Sequence, residues 1–281
     1  MPRMLKNLLS CILAPDEVKQ VYSAFDQIGD IIIIKIPDDL IPKKKLIADM
    51  VLANVKNAKA VFAQISPVRG DYRVRDLEFV AGENRTITEY REHGCRFKVD
   101  VARTYFSPRL STERLRIASM VGEHETIVNM FAGVGTYSIL MAKMNKSCRV
   151  YSVDSNNVAA ELCKVNARLN KVEDRVISIC GDAAKVIKDK LAGQADRVLM
   201  PLPERAKEFI DSAVLALKKK GTVHYFVHIK AESKKASLEL GLQDVNNAFT
   251  KYDHDVQKIR VVREVGPRIY QIVVDIFVRE S

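Results

Sequence analysis

Three positions at the ends of successive apolar runs have the residue types and spacing to hold a nucleoside. In FAGVGTYS, Gly133 and Gly135 directly follow the run TIVNM. Glycines at such a turn let a ligand approach backbone N–H groups that a Cβ would block. Ser138 occupies the place of a third small residue, but G-x-G alone is a weak fingerprint. Asp154 closes the next run, 19 residues beyond Gly135. A carboxylate there can accept both ribose hydroxyls of an adenosine moiety. Asp182, in the GDAA that ends the third run, is placed to meet an adenine amino group. Ordinary loop chemistry accounts for any one of these residues better than it accounts for the set.

The elements that must position them alternate regularly from Thr126 onward. TIVNM, RVYSV (149–153), RVISIC (175–180), DRVLMP (196–201) and TVHYFVHI (222–229) read as strands. Between them lie helical patterns, and SNNVAAELCKVNARLNKV places Val158, Leu162, Val165 and Leu169 on one face. Strands alternating with helices imply a parallel sheet covered on both faces. VQKIRVVREV and PRIYQIVVDIFVRE, separated at Gly266-Pro267, break the rhythm and read as a terminal antiparallel hairpin. The fold class expected is α/β, a class I S-adenosylmethionine methyltransferase arrangement, Rossmann-like and mostly parallel, preceded by a small α+β domain. Upstream, DIIIIKIP, KAVFAQI, YRVRDLEFVAG, TITEYREHG and CRFKVDV suggest short strands around one helix near Lys44 to Asn57. The expected divisions are a helical arm (1–22), an α+β RNA-interacting domain (23–108) and the methyltransferase domain (109–281).

The glycine turn suits either a nicotinamide dinucleotide or S-adenosylmethionine; the terminal hairpin and the loop after the fourth strand favour the latter. That loop, MPLPE (200–204), sits where nucleic-acid methyltransferases place a substrate-facing motif. It contains no cysteine, so it cannot supply the nucleophile of pyrimidine C5 methylation. A rigid turn, with Pro203 opening a helix and Glu204 favourable to its dipole, explains the same residues.

YFSPRLSTERLRIA, VNMFAGVGTYSI, SVDSN, MPLPERAKEFIDSA and VHYF, together with RGDYRVRDLEFVAGEN and EHGCRFKVDV upstream, resemble the archaeal and eukaryotic tRNA (guanine-37 N1)-methyltransferase family, which includes wyosine-pathway enzymes. The resemblance covers roughly residues 25–281. It implies S-adenosylmethionine as cofactor, the tRNA anticodon stem-loop as partner, and methylation of N1 of guanine 37. Cofactor contacts are then expected from Tyr105 and Phe106; from Phe131, Ala132, Gly133, Val134 and Gly135; from Asp154, Ser155 and Asn156; from Asp182 and Ala183; and from Pro201, Leu202 and Pro203. Asn129 stands where the family commonly has Asp, and Pro201 where single-function methylases commonly have Asn. Both are compatible with a branch that also methylates the wyosine precursor. By the same resemblance the chain is expected to be too short for the additional N-terminal domain with which some relatives grip the outer corner of tRNA.

Guanine N1 is a poor nucleophile until its proton leaves, and deprotonation pushes charge onto O6. The reaction needs a base near N1 and a cationic donor near O6. Matched to the family pattern, these are Glu113 and Arg73; read without it, Glu113 is an acid in a helix's first turn and Arg73 a surface charge. Transfer is direct, with no metal and no covalent enzyme intermediate. Arg69, Arg109 and Arg114 are the expected tRNA contacts, and the runs Lys43–Lys45 and Lys218–Lys220 read more readily as solvated faces.

The net charge of +10 favours an anionic partner. No apolar run approaches the ~20 residues of a membrane helix. Five scattered cysteines without CxxC argue against a disulfide framework or a structural zinc site and fit a reducing cytoplasm. No obligate protein partner is expected. Two alternatives remain open: transfer of the 3-amino-3-carboxypropyl group of the same cofactor, and an RNA-binding homologue without activity. A dehydrogenase has only the glycines in its favour.

Overall fold

Four consecutive isoleucines in Ile31–Ile34 are 0–3% exposed. Such an unbroken β-branched run suits a strand covered on both faces. The computed structural model, which describes residues 4–67, 70 and 72–279, makes this run the second strand of the first of two units, residues 1–109 and 110–281. In the first unit, β1 (Asp26–Ile28), β2 (Ile31–Ile34), β3 (Ala60–Gln64) and β4 (Leu77–Gly82) form a sheet in that order, with only β2 and β3 parallel. A separate hairpin pairs β5 (Ile87–Glu92) with β6 (Cys95–Asp100). His93 and Gly94 both have positive φ (46° and 73°), the backbone that a two-residue hairpin turn demands.

Helices α1 (Met4–Leu9), α2 (Pro15–Gln20) and α3 (Lys44–Asn54) complete the unit. Ile47, Ala48 and Val51 of α3 share one core with Ile32, Ile34 and Val61, and Leu5, Leu9, Leu13 and Val21 are part of that same core. Between residues 5 and 21 the chain therefore contributes to this core. Leu5, Leu9 and Leu13 are buried in it, and a short amphipathic helix is stable only with such a partner.

The second unit begins with α4 (Ser111–Ala118) and continues β7 (Thr126–Asn129), α5 (Thr136–Met144), β8 (Arg149–Asp154), α6 (Asn157–Leu169), β9 (Val176–Cys180), α7 (Ala183–Val186), β10 (Ala195–Met200), α8 (Ile210–Ala216), β11 (Leu217–Lys230), α9 (Lys234–Ala248), β12 (Asp253–Gly266) and β13 (Ile269–Arg279). The sheet order is β12-β13-β11-β10-β7-β8-β9, and β13 alone runs against its neighbours. The order reverses between β7 and β10, the switch point at which open α/β sheets bind ligands. At the β12–β13 turn Pro267 is followed by Arg268 with φ 58°, the left-handed corner of a tight turn.

Both faces of this sheet bury apolar side chains, and one of them also buries a row of polar ones. Val128, Val198, Met200, Val223, Tyr225, Ile272, Val274 and Ile276 belong to the apolar core. Alternation along the strands sends Asn129, Ser152, Arg197, His224 and Asp275 to the other face, and all five are at most 5% exposed. Helix α6 packs differently from its apolar pattern. The buried stripe is Ala159, Ala160, Cys163, Asn166 and Ala167, whereas Val165 is 37% exposed. Small side chains let the helix lie close to the sheet, and the larger aliphatics flank that contact.

Candidate active site

At the end of β7 the chain turns through Phe131, Ala132, Gly133 and Val134 into α5. Gly133 (φ 55°) and Gly135 (φ 87°) both adopt the left-handed backbone. The two glycines do different work. The Gly133 N–H donates to Asp154 Oδ2 at 2.6 Å, tying the turn to the end of β8. A Cβ on Gly135 would meet Cys163 Sγ of α6 at 2.6 Å and Ile139 Cδ1 at 3.0 Å. The missing Cβ of Gly135 is thus needed for helix packing. Val134 is buried, and its carbonyl accepts from Asn166 Nδ2 at 3.0 Å. Phe131 is half-buried and meets Phe209 edge-on at 4.9 Å. Asn129, 0% exposed, donates to Ser138 Oγ at 3.1 Å, and its Oδ1 accepts no hydrogen bond.

Asp154 is half-buried. Its second oxygen accepts from the Asn156 N–H at 2.9 Å. Burial raises its pKa above the ordinary carboxylate value, against the opposing pull of these two backbone donors. An ionised carboxylate has about four lone-pair sites, so two remain for ribose hydroxyls. Ser155 is exposed. Asn156 caps α6, with Oδ1 accepting from Val158 and Ala159 N–H at 3.0 and 3.4 Å, and is buried. Asp182 likewise caps α7 through Oδ1 to the Lys185 N–H at 2.9 Å, but its side chain is exposed beside buried Ala183. After β10, Pro201 is half-buried and Leu202 and Pro203 are buried, in a turn closed by the Leu202 N–H on the Met200 carbonyl at 2.9 Å.

Glu113, in the first turn of α4, is 1% exposed. Arg116, one turn on, donates Nε and Nη2 to its Oε1 at 2.9 and 2.6 Å. Arg260 of β12 brings Nη1 to 3.2 Å from Oε2, which accepts no hydrogen bond. Arg116 also grips both oxygens of Asp275 on β13, at 2.6 and 3.0 Å. Asp275 Oδ1 lies 2.6 Å from His224 Nδ1 on β11, and His224 Nε2 lies 2.7 Å from Arg197 Nη1 on β10. Arg197 closes the chain on Glu125 at 2.7 and 2.9 Å. Burial lowers the pKa of His224 and keeps the ring neutral. Burial alone would push Asp275 upward, but hydrogen bonds from His224 and Arg116 hold it well below the carboxylate range.

The sequence contained a signal for this chain. An aspartate inside the apolar run IYQIVVDIFV and a histidine inside VHYFVHI are misplaced unless they find buried partners. Nothing local identified those partners. Arg114 departs from expectation: at 2% exposure it presents no surface to a phosphate.

Within the first unit, Arg73 has φ 52°, a left-handed backbone uncommon outside glycine. Its guanidinium lies 4.0 Å from the centroid of the half-buried Tyr105 ring. Phe106 is 7% exposed and packs edge-on against Tyr90 at 4.8 Å, the position of a core residue. Arg109 is exposed and pairs with Asp26 at 2.9 Å, a carboxylate that Arg75 also holds at 3.1 Å. Lys43, Lys44 and Lys45 pair with Glu17, Glu78 and Asp49. Arg69 lies outside the described residues. Among the described residues no helix is long and apolar enough to cross a membrane.

The strand order, glycine turn and acidic strand end place the second unit among class I methyltransferases. Residues 88–257 match the TRM5/TYW2 methyltransferase domain, and residues 5–86 match the TYW2 N-terminal domain. The chain belongs to the TRM5/TYW2 methyltransferase family. It is 39% identical to the tRNA (guanine(37)-N(1))-methyltransferase Trm5b of Pyrococcus abyssi, over 93% of this chain and 77% of that one. It is 36% identical to the tRNA 4-demethylwyosine(37)-methyltransferase Taw21 of Saccharolobus solfataricus, over 92% of this chain and 95% of that one. The crystal structure of Methanocaldococcus jannaschii Trm5 in complex with adenosine superposes with a TM-score of 0.79 at 34% identity, covering 94% of this chain and 76% of that one.

Proposed function

We propose that this chain methylates N1 of guanine 37 in the anticodon stem-loop of tRNA, with S-adenosylmethionine as donor and Glu113 as the base. The observation that carries the reading is the Glu113 carboxylate, buried and held by Arg116 through one oxygen while the other accepts no hydrogen bond. Asp154 offers its remaining lone pairs to the ribose, and the Phe131–Gly133 turn and the Pro201–Pro203 loop flank the switch point beside it. S-adenosylmethionine, when bound, supplies a sulfonium-activated methyl group and keeps the leaving electron pair on sulfur.

The protein's own task is the proton on N1. Glu113 Oε2 takes it as N1 attacks, and Arg260 withdraws from that oxygen as the proton arrives. Arg73 neutralises the charge that deprotonation sends to O6, and its left-handed backbone fits a residue held in place for function. Tyr105 stacks on the Arg73 guanidinium and limits its rotamers. Arg109 exchanges Asp26 for a tRNA phosphate.

The test incubates tRNA transcript with S-adenosylmethionine and enzyme, then weighs the digested nucleosides. 1-Methylguanosine is expected, with kcat reduced about 10²–10⁴-fold in Glu113→Gln. An aminocarboxypropyl adduct on precursor tRNA, with none on plain transcript, would refute the methyl-transfer reading. A second reading has its own observation. Pro201, at the switch-point loop, offers neither a side-chain amide nor an N–H to a purine edge, which suits a substrate lacking the guanine Watson–Crick edge. Methylation of the tricyclic wyosine precursor is therefore assayed in parallel.

A further inference from the structure

The Glu113–Arg116 pair sits on one helix at i,i+3, a spacing that on an exposed surface is worth little. This pair is different because its arginine is fastened to the sheet. Four of the hydrogen bonds of Arg116 go to two carboxylates, two to Glu113 Oε1 and two to Asp275. Asp275 belongs to β13, a strand hydrogen-bonded on both sides. Its own orientation is fixed from β11. An arginine N–H can only donate, so Arg197 Nη1 makes His224 Nε2 an acceptor. The ring proton is thereby left on Nδ1, directed at Asp275 Oδ1 at 2.6 Å. Arg197 is in turn held by Glu125 and by the Met120 carbonyl at 2.9 Å.

We infer that Asp275, oriented by His224, is a positioning residue that sets the direction of the Glu113 carboxylate through Arg116. The inference rests on the reading of Glu113 as the base. Oε1 is held by the fork of Arg116, so Oε2, which faces Arg260 at 3.2 Å and accepts no hydrogen bond, is the atom left to take a proton. Without Asp275, Arg116 keeps its charge but loses its second anchor. Its side chain then gains rotamers, and the Glu113 carboxylate that it holds through Oε1 gains freedom with it. Orientation of a reacting group by an anchored neighbour acts on kcat more than on substrate affinity.

The test is a double-mutant cycle on methyl transfer to tRNA, with Asp275→Asn and Glu113→Gln alone and together, and with cofactor affinity measured for each. Asp275→Asn is expected to lower kcat about tenfold or more while KM for tRNA and cofactor stays within about twofold. In the Glu113→Gln background the same change is expected to cost nothing further, because the group it positions is already gone. A full second loss in that background would overturn the inference, since Asp275 would then act independently of Glu113. Unchanged kcat in Asp275→Asn would overturn it equally. If Asp275→Asn does not fold, Arg116→Lys, which keeps the charge and removes the fork, takes its place in the cycle. Full activity in Glu113→Gln alone would refute the base itself, an outcome seen before the second variant is added.

Discussion

Arg73 and Glu113, the two residues proposed to act on the guanine, are held in different ways. Glu113 is buried and fixed by charge-assisted hydrogen bonds. Arg73 is held by a left-handed backbone and by the Tyr105 ring. A cation that only anchors tRNA and a cation that neutralises charge on O6 predict different kinetics. Arg73→Ala is expected to lower kcat about 10²–10³-fold with little change in KM for tRNA. Arg73→Lys restores only a small part, because a point charge lacks the planar fork and stacks less well on Tyr105. Steady-state kinetics on both variants decides the matter. A raised KM with unchanged kcat would make Arg73 a phosphate anchor.

Among the elements, the α5–α6 contact depends on a single missing Cβ. Gly135 has φ 87° and lies against Cys163 Sγ. Gly135→Ala combines a left-handed alanine with an overpacked contact, so a destabilisation of about 2–4 kcal/mol is expected. Removing the sulfur in Gly135→Ala/Cys163→Ala should recover part of it, leaving the backbone strain and the Ile139 contact. Urea unfolding of the single and double variants measures both terms. No recovery in the double variant would assign the whole cost to the backbone.

For the whole molecule, the buried chain from Glu113 to Glu125 makes stability depend on pH in two steps. His224 stays neutral in the folded protein because burial lowers its pKa, whereas the unfolded chain protonates it near the ordinary 6.5. The unfolded state then binds the extra proton, so stability falls as pH drops below that value. Asp275 is displaced downward, so its contribution is complete above the ordinary carboxylate pKa near 4 and is lost as pH falls further. Urea midpoints at about pH 7.5, 6 and 5 read the first step. His224→Gln is expected to flatten it without abolishing the loss at lower pH. The same slope in that variant would place the titration elsewhere.

Features that depend on short-range physics are legible in the order of the residues. Alternating apolar runs and helical spacings set the five parallel strands, Gly266-Pro267 set the terminal hairpin, and Gly133 with Asp154 marked the ends of β7 and β8. Residue types at one turn limit backbone conformation and ligand chemistry together, and this is legible locally. Which residues share a neighbourhood follows only from how the elements pack. Packing buried the small-residue stripe of α6 in place of the aliphatic one, turned Asn156 and Asp182 into helix caps, and put Arg114 out of reach of solvent. It also joined Arg197 to His224, His224 to Asp275 and Asp275 to Arg116 across 27, 51 and 159 residues of chain. Those contacts follow from strand order and register, which place β13 beside β11 and beneath α4. A buried charge requires a partner, but only the register of non-consecutive strands says which residue the partner is.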